Sequence, residues 1–215
     1  MSWNYKTGVY ITPVMFNPNW QDDIDKLQIG DYGEFVTPGN QAAKRKVAEN
    51  FKFISFKSID GTNHTIKPYG DKGEYVSDYQ WTPAYYSSPN LRKVIDWFQA
   101  EKTKVRIFRQ KPSGFTKLHF DWDNKRLNFN ESEHIIRSWV PLNGENCWYR
   151  FSNGTSDITL SLRIGQVLFS STDFVCHQTE NLGSVPRDCL NITLKVNSWL
   201  KNFRNTYNQI TEINL

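Results

Sequence analysis

The triplet His119-Phe120-Asp121 and the distant His177 are the residues of this 215-residue chain whose types best suit chemistry. Residues two apart on a strand point to one face, whereas on a helix they diverge. The surrounding run FTKLHFDW (115–122) reads as a strand, so His119 and Asp121 aim at one point and Phe120 at the other side. His177 follows in a second strand, FVCH (174–177). Two imidazoles and one carboxylate bind a divalent metal on one face, an arrangement that suits non-haem Fe(II). Three coordination positions then stay open for a chelating co-substrate and dioxygen. Zinc with a bound water could use the same ligands, so the triad alone does not choose the metal. A bare His-x-Asp is also a common strand-end pair.

A cation adds to the pattern. Arg187 comes ten residues after His177, beyond the turn-rich TENLGSVP (179–186). The strand 188–196 alternates strictly, with Leu190, Ile192, Leu194 and Val196 on one face. Arg187, Cys189, Asn191 and Thr193 take the other. A hairpin is expected to return Arg187 towards His177, where a guanidinium can grip a carboxylate through two parallel hydrogen bonds. Lys117, on the same side of its strand as His119, is a rival anchor. Arg187 could equally be a solvated cation at a strand end.

These residues must be carried by a β-rich frame. Strands are predicted at 8–15, 51–57, 104–109, 115–121, 134–141, 147–152, 157–162, 166–170, 174–178 and 188–196. Turns fall at Pro112-Ser113-Gly114, Asn143-Gly144, Asn153-Gly154, Ile164-Gly165 and 181–186. Many short strands joined by tight turns give a mainly β fold, a double-stranded β-helix or cupin-like jelly roll. Three flanking helices are predicted. A short one lies near 41–49. A second spans 88–102, with Ser88 as N-cap, Pro89 at the first position, and Leu91, Val94, Ile95 and Phe98 as its apolar stripe. The third, near 197–210, puts Trp199, Phe203, Tyr207 and Ile210 on one face. The whole reads as a single domain: an N-terminal region 1–103 with its support helix, a jelly-roll core 104–196, and a C-terminal helical segment 197–215.

Bulk properties narrow the class. Net charge is +4, and the longest basic cluster, Lys44-Arg45-Lys46, is too small for a nucleic-acid footprint. Mean hydropathy of −0.63 and the lack of a long apolar run argue against a membrane span. The N-terminus lacks the pattern of a signal peptide. Three cysteines (Cys147, Cys176, Cys189) without a CxxC argue against a disulfide framework or zinc ribbon and point to a reducing cytoplasm. Eight tryptophans suit core mass in a β-rich domain.

The segment 104–196 resembles the Fe(II)/2-oxoglutarate dioxygenases of the aspartyl/asparaginyl β-hydroxylase type, which include the proline 3-hydroxylases. The resemblance lies in VRIFRQKPSGFTKLHFDW (105–122), HIIRSWVPLN (134–143) and LRIGQVLFSSTDFVCHQTENLGSVPRDCLNITLKV (162–196). These match, in order, the family's strand, Pro-x-Gly turn and His-x-Asp; its arginine-bearing strand; and its glycine turn, distal histidine and later arginine. Residues 1–103 match no named family. The resemblance implies Fe(II) on His119, Asp121 and His177, with 2-oxoglutarate and dioxygen as co-substrates. It implies that Arg187 pairs with the remote carboxylate of 2-oxoglutarate and that Arg137 lies in the same pocket. Trp139 departs from the pattern, which often has histidine there, and puts that contact to the co-substrate in doubt. The expected reaction is hydroxylation of a C–H bond in a free amino acid or peptidyl residue. Trp122, Tyr149 and the loop 122–133 are candidates for a substrate wall, and Trp81, Tyr85 and Tyr86 for a lid. The alternatives are a non-catalytic cupin-like binding module, a structural protein such as one of a viral particle, and a zinc-dependent hydrolase. Oligomeric state is not legible.

Overall fold

A computed structural model describes residues 8–27, 29–31, 48–63, 79–119, 135–145, 147–171, 175–207 and 209–214. The strands are β1 (Gly8–Met15), β2 (Gly30–Asp31), β3 (Ala48–Ser58), β4 (Gln80–Trp81), β5 (Lys102–Thr116) and β6 (Ile135–Pro141). They continue with β7 (Cys147–Ser152), β8 (Asp157–Ser161), β9 (Gln166–Ser170), β10 (Cys176–Asn181), β11 (Arg187–Lys195) and β12 (Thr211–Asn214). The helices are α1 (Gln21–Lys26), α2 (Pro83–Ser87), α3 (Pro89–Trp97) and α4 (Ser198–Thr206).

Alternation along β11 explains how the layers form. Leu190, Ile192 and Leu194 join a large apolar cluster with Leu91, Val94 and Ile95 of α3 and Leu200 and Phe203 of α4. Cys189 points the other way, into a second cluster with Trp139, Tyr149, Phe151, Leu168 and Val175. One face of the sheet is therefore covered by helices, and the other lines the inside of the roll. The path runs β12-β1-β9-β6-β11-β5-β10-β7-β8, with β3 also paired to β5. The described strand pairs are antiparallel. This is a jelly roll, and β1 and β3 from the N-terminal region are strands of it.

The corner of the roll lies in β5. Residues 102–110 pair with β11, but Phe115 pairs with Glu180 of β10. On the β3 side, Gln110 faces Phe51 and Phe115 faces Glu49, so residues 111–114 stand opposite residue 50 alone. Pro112 has no N–H to donate, and Ser113 takes a left-handed φ of 59°. The expected turn at 112–114 is thus a bulge within one strand. It moves β5 from one wall of the roll to the other.

Other expectations change as well. Of the helix expected at 41–49, residues 41–47 lie outside the described residues, and Ala48 and Glu49 open β3. The helix expected at 88–102 ends at Trp97, because Phe98 turns to φ −73°, ψ 97° and is fully buried. Ser88 makes no side-chain cap. The cap comes instead from buried Asp23 of α1, whose Oδ2 accepts from the N–H of Asn90 and of Leu91 at 2.7 and 2.8 Å. Sequence distance hid this partner. The C-terminal helix stops at Thr206, and β12 follows to pair with β1. Among the described residues, no helix is long and apolar enough to cross a membrane.

Candidate metal and anion site

Two of the three expected metal ligands meet. The strand expected to carry His119 stops at Thr116, but the chain rejoins the sheet at His119. Its N–H donates to His177 O at 3.1 Å, and the His177 N–H donates back to His119 O at 2.9 Å. The rings lie 4.3 Å apart between centroids. His119 Nδ1 is 2.5 Å from Lys117 O. A carbonyl only accepts, so Nδ1 carries the ring proton and Nε2 is the nitrogen with the lone pair. His177 is 3% exposed, with the Trp139 ring 5.2 Å from its own. Asp121, His64 and His134 lie outside the described residues. Among the described residues, no group of three or more His, Cys, Asp or Glu side chains is placed to hold a metal.

Arg187 is built into the floor of the roll. It is 1% exposed and aligns with Gln110 across the sheet. Its Nη1 donates to Trp148 O at 3.1 Å and to Glu180 O at 2.9 Å. The guanidinium lies 4.9 Å from the centre of the Tyr149 ring. Its Nε is buried with no hydrogen-bond partner among the described residues, and no carboxylate among them pairs with it. The neighbouring Asp188 points to the other face, where it takes two hydrogen bonds from Arg109 and one from Asn143 Nδ2. That arrangement raises the Arg109 pKa through its hydrogen bond to Asp188.

The sequence missed how Arg187 is positioned. β10 and β11 are not hydrogen-bonded to each other, so the segment between them is a crossover and not the expected hairpin. Asn181 ties it down, donating from Nδ2 to Gln110 O and Val185 O and accepting from the Gly183 N–H. Gln110 Nε2 donates to Thr179 Oγ1, which also contacts Thr116 Oγ1. From above, the Asn143-Gly144 turn presses on Arg187. Gly144 has φ +93°, and a Cβ there would lie 3.0 Å from Arg187 Cα.

Ring contacts connect the two halves of the site. His177 touches Trp139, Trp139 lies 5.7 Å from Tyr149, and Tyr149 stacks on Arg187. Trp139 Nε1 donates to Ser170 Oγ at 3.0 Å, so its N–H is committed and the residue offers an apolar wall. Tyr149 donates to Cys189 Sγ at 3.1 Å. Arg137 is buried, opposite Ser170 on one side and Thr193 on the other. Lys117 is exposed, unlike Arg187. Trp122 and the loop 122–133 lie outside the described residues. Trp81 and Tyr85 stack at 4.0 Å and pack on the helix-covered cluster, away from the His177 face. They do not form the expected lid.

No family model and no curated protein sequence matches the chain. Solved structures do. The non-haem α-ketoglutarate-dependent carbocyclase SnoK from nogalamycin biosynthesis superposes with a TM-score of 0.55 at 12% identity, covering 88% of this chain and 80% of that one. A prolyl hydroxylase from Trichoplax adhaerens, solved with a hypoxia inducible factor peptide fragment, gives 0.52 at 11% identity, covering 89% and 84%. The match to a 2OG-Fe(II) oxygenase family protein from Burkholderia pseudomallei covers 66% of each chain at 14% identity, with a TM-score of 0.44. The likeness to the first two is one of fold: the chain is a jelly roll of the kind on which these two oxygenases are built.

Proposed function

We propose that the chain is an Fe(II)- and 2-oxoglutarate-dependent dioxygenase of the aspartyl/asparaginyl β-hydroxylase type. It would hydroxylate a C–H bond in a free amino acid or a peptidyl residue. The observation that carries the reading is Arg187, a buried cation with no carboxylate partner among the described residues. Leaving a charge so placed costs on the order of several kcal/mol unless an anion joins it. A carboxylate seated there would reach the idle Nε, with Tyr149 and Trp139 as its walls.

The donor set also fits a divalent metal. The carbonyl of Lys117 fixes the tautomer of His119, and the paired backbone hydrogen bonds hold both imidazoles on one side of the roll. We assign Asp121 as the third ligand on sequence grounds. Bound Fe(II) with 2-oxoglutarate and dioxygen supplies the oxidising power, yielding succinate, carbon dioxide and a hydroxylated substrate. His119 and His177 anchor the metal, while Arg187 neutralises and orients the remote carboxylate of the co-substrate. Arg137 adds positive potential inside the roll. Trp139, Tyr149 and Phe151 exclude water from the reacting centre.

The test is anaerobic addition of Fe(II) and 2-oxoglutarate, read by the weak visible charge-transfer band of the chelate. The band should appear in the wild type, vanish in His177→Ala and weaken in Arg187→Met. A wild-type protein with no band, or turnover that persists without dioxygen and 2-oxoglutarate, would overturn the reading in favour of a binding module or a zinc hydrolase.

A further inference from the structure

A second set of unused donors lines the roll. Across the sheet, Ser55 of β3 stands opposite Arg106 of β5, Arg106 opposite Asn191 of β11, and Asn191 opposite Trp139 of β6. Residues paired in this way share one face. Trp139 contacts His177, so the row lies on the face of the imidazole pair. Ser55 Oγ, Arg106 Nε and Asn191 Nδ2 are all buried without a hydrogen-bond partner among the described residues, and so is Thr193 Oγ1, two positions along β11. Ser55, Asn191 and Thr193 are themselves buried residues. The Arg106 guanidinium lies over the Phe53 ring, 4.9 Å from its centre. Buried polar atoms are nearly always satisfied, yet here several idle atoms fall together on adjacent strands. The group includes a guanidinium N–H and an amide N–H, which only donate, and hydroxyls, which can donate. What satisfies them together is an acceptor with several lone pairs and negative charge.

We infer that the row Ser55–Arg106–Asn191, with Thr193 beside it, binds the main-chain carboxylate of the substrate, which is therefore a free small acid and not an internal residue of a peptide. The inference rests on the proposed oxygenase reading, with Arg187 already given to the co-substrate. The two anion sites lie at different places along β11. Arg187 is its first residue, level with Gln110, and Asn191 lies four positions on, level with Trp139. Trp139 stands opposite Asn191, whereas the ring on Arg187 is that of Tyr149, 5.7 Å from Trp139. A molecule held by its carboxylate at Asn191 and Arg106 would present its carbon skeleton to the region of His177. An internal peptide residue has a neutral amide where the free acid has its main-chain carboxylate, and without an acidic side chain it leaves Arg106 without a counter-charge.

The experiment uses the full chain and ligand-observed saturation-transfer NMR. One probe is an equimolar mixture of the free amino acids with non-acidic side chains, a second is their C-terminal amides, and a third is 2-oxoglutarate alone. Free acids should give transfer and the amides none. Ser55→Ala removes a single oxygen, and Arg106→Met keeps the length of a half-exposed side chain. Each should weaken acid binding by about tenfold, the scale of one charge-assisted hydrogen bond. Both should leave 2-oxoglutarate transfer unchanged, whereas Arg187→Met should do the reverse. Equal transfer to acids and amides, no transfer to the acids, or acid binding untouched by both row variants overturns the inference; the last assigns the donors to internal water. Acid binding that follows this pattern without any 2-oxoglutarate transfer would keep the carboxylate site and sink the co-substrate assignment.

Discussion

At the scale of single residues, the site trades stability for binding. Arg187 is a buried charge whose hydrogen bonds among the described residues, both from Nη1, go to backbone carbonyls. Arg187→Met keeps the volume and removes the charge. Its unfolding free energy should stay level or rise by about 1–2 kcal/mol, because apolar replacements of buried ions are often neutral or stabilising. Its affinity for 2-oxoglutarate should fall by about tenfold or more. Chemical denaturation and titration of the co-substrate on one sample check both halves. A variant that loses stability and keeps affinity would remove Arg187 from the site. Asp188 behaves in the opposite way, since it is fully buried and paired with Arg109. Asp188→Asn should lower stability by roughly 2–3 kcal/mol, less than a fully buried pair because Arg109 is partly exposed.

At the scale of elements, turns and caps decide where the side chains arrive. The Asn143-Gly144 turn could be read from the sequence, because Asn-Gly marks a turn whatever surrounds it. Its contact with Arg187 could not be read, since it joins residues from different strands. Gly144→Ala must strain a φ of +93° and push against the Arg187 backbone. We expect a loss of about 1–3 kcal/mol and a weaker response to 2-oxoglutarate, while metal binding at His119 and His177 stays intact. Calorimetry with and without each ligand separates these outcomes. The helix cap shows the same limit. Ser88-Pro89 marked the start of α3 within a residue, but the oxygen that satisfies the helix belongs to Asp23. Asp23→Ala should therefore cost about 1–2 kcal/mol, and Ser88→Ala far less. The bulge in β5 was misread for a similar reason. Pro112-Ser113-Gly114 signals a break in regular pairing, and only the neighbours β3, β10 and β11 determine whether that break is a turn or a corner.

At the scale of the whole molecule, the roll keeps two apolar clusters on opposite faces of one sheet, and this division was legible. The alternation at 187–196 separated Leu190, Ile192 and Leu194 from Arg187, Cys189, Asn191 and Thr193, and the structure keeps that division. The same alternation in FISF and VRIF carries Ser55 and Arg106 to the inner face, a signal present in the sequence but without meaning until the strands were ordered. Asp121 shows where legibility stops, because a ligand assigned from spacing alone gains no support from the described residues. The two-cluster build has a measurable consequence. Phe203 packs in the outer cluster against Phe169, Trp97 and Trp199, on the side away from His177. Phe203→Ala should cost about 3–5 kcal/mol of stability by opening a cavity. Below its lowered melting temperature it should bind Fe(II) and 2-oxoglutarate as the wild type does. Tyr149→Phe removes one hydroxyl from the inner cluster and should do the converse, leaving stability within about 1–2 kcal/mol while altering the co-substrate wall. If Phe203→Ala weakened ligand binding in proportion to its loss of stability, the two faces would be one cooperative unit, and the inner site could not be treated as independent of the helices outside it.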